Sequence, residues 1–75
     1  MNLSQLTVGQ SAIIESFTDE EMSLKFLEMG CLPGEKISVY KIAPFGDPIA
    51  ISVSGYTLSM RKEEAATIII SLLNK

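Results

Sequence analysis

At 75 residues the chain is about half the commonest domain size, which leaves room for a single domain over 1–75. One cysteine, no histidine and 47% hydrophobic residues exclude both a disulfide-stapled scaffold and a disordered chain. A net charge of −3 and a pI near 4.7 argue against nucleic acid as a partner.

Leu3 and Leu6 lie three apart, which predicts one helical turn laid on a core before Gly9 turns the chain. Ser11 to Phe17 is rich in β-branched and aromatic residues and reads as a strand. Thr18-Asp19-Glu20-Glu21 then fits a capping box, with the Thr18 hydroxyl taking a helix-start N–H and Glu21 reaching back. Met22, Phe26 and Met29 follow at helical spacing, and Gly30 supplies a left-handed stop, so a helix is expected over 19–29. A methionine and aromatic stripe of this kind is expected to be core.

Pro33-Gly34 predicts a type II turn. Ile37 and Val39 alternate with polar neighbours, whereas Tyr40 and Ile42 fall on the opposite parity, so a bulge is expected near Val39–Lys41. Ile49, Ile51 and Val53 alternate in a third strand, and Tyr56, Leu58 and Met60 alternate in a fourth after a pivot at Gly55. Lys62 to Ala66 suits a short helical turn, and Thr67 to Leu73 closes with a β-branched run. Five short strands around one inserted helix predict a mainly β fold. The expected architecture is an SH3-like barrel with short helical turns, whose sheet closes on itself and so removes unpaired edges.

The same residues exclude most chemistry. Without histidine there is no imidazole base, and a lone Cys31 between Gly30 and Leu32 is expected to be a small packing residue. Zinc or ferrous iron would need histidines or several cysteines. Asp19, Glu20 and Glu21 point in different directions from adjacent helical positions, and capping accounts for them without a hard cation. No glycine precedes the Lys-Ser/Thr pair of a nucleotide loop. No catalytic residue, metal site or cofactor is therefore expected.

Charge is uneven: residues 1–35 carry six acids against Lys25, and residues 36–75 carry five bases against three acids. Solvated faces account for this at so small a size. Apolar runs are far shorter than a membrane span, and no basic residue precedes Lys25, so a cytoplasmic location is expected. The loop Ala43-Pro44-Phe45-Gly46-Asp47-Pro48 is the unusual feature. It reads either as a rigid connection with Phe45 folded over the barrel end, the default, or as a preorganised apolar tip for a partner.

Four segments in register carry a resemblance. They are Leu3…Leu6…Gly9, then Leu27-Glu28-Met29-Gly30-Cys31-Leu32-Pro33-Gly34, then Ala43 to Ile49, then Met60-Arg61-Lys62-Glu63-Glu64-Ala65. Together they resemble the FeoA family, the small A protein of the bacterial ferrous iron uptake system, from Leu3 to about Ile70. The resemblance implies an SH3-like barrel that assists a membrane permease bearing a cytosolic GTP-binding domain, by protein contact and not by carrying iron. It reaches the membrane only through that permease. The barrel is also similar to the C-terminal module of iron- and manganese-dependent repressors, although this chain has no DNA-reading helix-turn-helix. Relatives often carry arginines before the Leu-x-x-Met-Gly stretch, where this chain has Leu24-Lys25-Phe26.

On this resemblance the leading expectation is a non-enzymatic adaptor that supports or regulates Fe(II) uptake. Phe45, Asp47, Met29 and Leu32 are its expected permease contacts. The rival expectations are a modulator of the permease's nucleotide turnover, a carboxylate-based metal sensor, and an SH3-like repressor module. Self-association into a homo-oligomer is a further expectation, through barrel edges or apolar loops.

Overall fold

The computed structural model describes residues 1–73. A 3-10 turn at Leu3–Gln5 leads into β1 (Ser11–Phe17), α1 (Glu20–Glu28), β2 (Lys36–Ile42), β3 (Ile49–Val53), β4 (Tyr56–Met60), α2 (Lys62–Ala65) and β5 (Ile68–Leu72). The strands form one antiparallel sheet in the order β4-β3-β2-β1-β5. The mainly β, SH3-like expectation holds, with the helix inserted between the first two strands.

Alternation decides which face each strand buries. Ala12 and Ile14, Ile37 and Val39, Ile49, Ile51 and Val53, and Ile68 and Ile70 all point into one core, with Leu3, Leu6, Phe26, Cys31, Met60 and Ala65. The expected bulge in β2 is present, where the β2–β3 register shifts between Val39 and Lys41. It returns Ile42 to the core side and leaves Tyr40 outside. A second shift between Ile14 and Ser16 bends β1 along β5.

Two expectations need correction. Asp19, not Thr18, caps α1: its carboxylate accepts the Met22 N–H at 3.0 Å. Thr18 is drawn away by β5, since its backbone N–H donates to the Thr67 carbonyl at 2.9 Å and its hydroxyl faces the same oxygen. The helix therefore spans Glu20–Glu28, one residue shorter at each end than expected.

The sheet also does not close through its ladders. Among the described residues β4 and β5 remain its two edges. The chain treats those edges differently. β5 is flanked by the N-terminus, where Asn2 bridges Ile69 and the Ile70 N–H donates to the Met1 carbonyl at 3.0 Å. Among the described residues no such segment lies along β4. Two non-strand pieces, the 3-10 turn and α2, pack on each other.

Candidate functional site

The expected contact residues lie in two segments. The first follows α1. Gly30 takes φ +91°, its N–H donates to the Leu27 carbonyl at 3.1 Å, and the Cys31 N–H donates to the Phe26 carbonyl at 2.9 Å. This paired pattern is a Schellman stop, and it turns the chain inward so that Cys31 follows Phe26 into the core. Phe26 stacks on Phe17 with ring centroids 5.9 Å apart. Pro33-Gly34 then makes the expected turn, closed by the Glu35 N–H on the Leu32 carbonyl at 3.0 Å, with Gly34 at φ +95°.

A latch unforeseen from sequence holds this segment. The Tyr56 hydroxyl, at the start of β4, donates to the Met29 carbonyl. The same hydroxyl occupies the space that a Cβ on Gly30 would need. Gly30 is thus demanded twice, by its left-handed backbone and by the oxygen packed against it. Met29 is partly buried against the core, and Leu32 is exposed beside it. No periodicity in the sequence brings Tyr56 to Met29, because the contact joins residues 27 positions apart.

The second segment is the β2–β3 loop. The Gly46 N–H donates to the Ala43 carbonyl at 2.7 Å and the Ala43 N–H donates to the Pro48 carbonyl at 3.1 Å, which pins the loop at its base. Asp47 fixes its side, since Oδ1 accepts the Lys62 N–H at 2.9 Å at the start of α2. Phe45 then stands at the tip, 99% exposed. The default expectation of a phenylalanine folded over the barrel end is overturned. The base of the loop is held from below and offers the ring nothing to pack on. Beside the loop, Lys41, Ala43, Pro48, Ala50 and Ser59 line a shallow cleft of about 240 Å³.

The structure groups Phe45 with Asp47 and Met29 with Leu32, but keeps the two pairs apart. Loop 43–48 enters β3 at Ile49, whereas Met29 meets the opposite end of the β3–β4 hairpin at Tyr56. A five-residue strand puts about 13–17 Å between those ends. Lys25 pairs with Glu64 of α2 at 3.4 Å. The exposure of that pair makes it a weak tie between the helices.

Cys31 is fully buried, and loss of water pushes its thiol pKa above the ordinary 9.0. That is the opposite of nucleophile activation. Among the described residues no group of three or more histidines, cysteines or carboxylates is placed to hold a metal ion. No helix of the described residues is long and apolar enough to cross a membrane.

The arrangement offers a displayed apolar ring on a braced loop and a latched, half-buried helix stop. The chain is 36% identical over 75 residues to an Fe(2+) transport protein A/Fe(2+) transporter FeoB fusion protein of Porphyromonas gingivalis, covering 99% of this chain and 9% of that relative's length. A FeoA-like protein from Clostridium acetobutylicum, solved by NMR, superposes with a TM-score of 0.93 at 32% identity, over 100% of this chain and 88% of that one. FeoA of Stenotrophomonas maltophilia, crystallised with zinc and described as a prokaryotic SH3 domain protein, superposes at 0.83 with 26% identity, over 95% and 89%. A family model for the FeoA domain matches residues 1–72. With that match spanning almost the whole sequence, the chain belongs to the FeoA domain family.

Proposed function

We propose that this protein is a non-enzymatic accessory that binds a FeoB-type ferrous iron permease and supports or regulates Fe(II) uptake. The observation that carries the reading is the fusion. A relative 36% identical over the whole domain is joined in one chain to an Fe(2+) transporter, and joined domains are held at high effective concentration of each other. The FeoA of Stenotrophomonas maltophilia is described as a candidate ferrous iron transport activating factor, which supports the same reading. Family membership favours this over a repressor module, and the dispersed carboxylates favour it over a metal sensor.

Phe45 is the main contact in this reading. A fully exposed aromatic ring on a braced loop loses little entropy on docking and buries a large apolar surface. Asp47 keeps the loop in place through Lys62, and Leu32 with Met29 forms a second, separate contact at the far end of the hairpin. The site is cytoplasmic, on the face of the membrane where the permease's GTP-binding domain lies.

The test is capture of the detergent-solubilised permease by the tagged protein. Phe45→Ala is expected to retain the wild-type melting temperature and to lose most of the captured permease. Full capture by the folded variant would take the loop out of the interface. An accessory that changes nucleotide turnover shares this partner, and GTP hydrolysis rates with and without the protein separate the two roles.

A further inference from the structure

The β3–β4 hairpin ends in a two-residue turn, Ser54-Gly55, with φ +50° and +84°, a type I′ geometry closed by Val53 and Tyr56. In such a hairpin the closing pair exchanges backbone hydrogen bonds, and so do the pairs Ile51–Leu58 and Ile49–Met60. The backbone groups of Thr57 and Ser59 therefore point away from β3. Among the described residues they have no hydrogen-bond partner.

This edge lacks the usual protections. From Tyr56 to Met60 it has no charged residue and no proline, and its register with β3 is unbroken over all five pairs. The opposite edge, β5, is bridged by Asn2 and capped by Met1. On the core side of β4 the cover thins progressively. Met60 is buried, Leu58 is partly buried and Tyr56 is 45% exposed.

We propose that β4 is a self-association edge, on which a second copy of this chain pairs antiparallel about a twofold axis through Leu58. The sequence Tyr56-Thr57-Leu58-Ser59-Met60 is symmetric in chemical type about Leu58. Pairing there sets Thr57 against the second copy's Ser59, so that the free N–H and carbonyl groups on each satisfy the other. Leu58 meets its own equivalent, and Tyr56 meets the second copy's Met60, which completes the thin apolar cover. Such isologous contacts close as dimers and cannot propagate.

Charge favours a second copy over an unrelated strand. In this register Arg61 falls opposite the second copy's Gly55. That residue is next to Ser54, whose hydroxyl donates to Glu35 at 3.2 Å. Each Arg61 is thereby brought toward the other copy's Glu35, once on either side of the axis, and the strand itself brings no like charges together.

Sedimentation of the full chain across a concentration series, up to about 1 mM, reads the association directly. A reversible dimer is expected. Ser59→Pro removes one outward N–H without touching the β3 ladder, so it is expected to weaken the dimer about tenfold or more with an unchanged thermal melt. A second variant gives an independent readout. Opposed residues of a non-hydrogen-bonded pair have Cα atoms about 4.5 Å apart, within disulfide reach, whereas residues offset by two positions lie beyond about 7 Å.

Leu58→Cys is therefore expected to oxidise to a covalent dimer on a non-reducing gel, and Thr57→Cys is not. Buried Cys31 does not compete. A monomer at every concentration, or equal cross-linking of both cysteine variants, overturns the proposal. A wild-type monomer whose Ser59→Pro variant loses capture of the permease would give the edge to that partner's strand, and overturns it equally.

Discussion

The segment after α1 and the β2–β3 loop have similar compositions and opposite purposes. Each contains glycine, proline and a large apolar residue, and each belongs to the motif set that marks the family. In the first, Gly30 and the Tyr56 hydroxyl turn Cys31 and Phe26 inward, so the pattern is spent on building the core. In the second, Asp47 and the Ala43–Pro48 contact brace the loop from below and leave Phe45 exposed to solvent. A motif's residue types do not say whether it serves folding or recognition. Where its backbone is anchored does.

Substitutions can break that contrast, and the largest effect belongs to the inward segment. Phe26→Ala removes a fully buried ring stacked on Phe17 and is expected to cost about 3–5 kcal/mol in urea unfolding. For a chain of this size that is a large part of the total stability. A loss below about 1 kcal/mol would mean that the helix stop is not anchored in the core as described.

Gly30→Ala comes next. The left-handed backbone and the hydroxyl in the way of the new Cβ are expected to cost about 1–3 kcal/mol. In a Tyr56→Phe background the added cost should shrink, since the blocking oxygen is gone and only the backbone strain remains. Equal costs in both backgrounds would separate Gly30 from the latch.

A smaller effect comes from Cys31. Burial raises its pKa in the folded state, so well below the ordinary 9.0 the thiol is neutral in both states and contributes no pH dependence. Above that the unfolded chain ionises first, and stability falls as pH rises through the folded-state pKa. Urea midpoints from pH 7 to 10 should therefore decline more steeply for the wild type than for Cys31→Ala. Parallel declines would place the thiol in contact with water.

Phe45→Ala is the smallest change and the sharpest test. Its unfolding free energy is expected to stay within about 0.5 kcal/mol of wild type while permease capture falls. A stability loss comparable to that of Gly30→Ala would show that the ring packs on the protein after all.

The strands, the helix and the β2 bulge were legible because each rests on local periodicity. Ile37 and Val39 followed by Ile42 announces a change of face wherever it occurs. The cap moved from Thr18 to Asp19 because Thr67, far away in sequence, competes for Thr18. The Tyr56 latch and the position of Phe45 were illegible for a similar reason. Both depend on what lies next to a residue across the fold, and periodicity reports only a residue's own face. The four expected contact residues were found as two groups, since nothing in a sequence records that Met29 and Phe45 lie at opposite ends of one hairpin.

The β1–β5 ladder has a kinetic consequence. It pairs Ala12 with Leu72 and Phe17 with Ile68, so it closes almost the entire chain. The α1 turns and the β3–β4 hairpin join near neighbours and repay their ordering early. The terminal ladder repays nothing until the ends meet, and its loop-closure entropy is borne by contacts already made elsewhere. The terminal ladder therefore raises the contact order and slows folding, and β1 waits for the last strand before its second edge is covered.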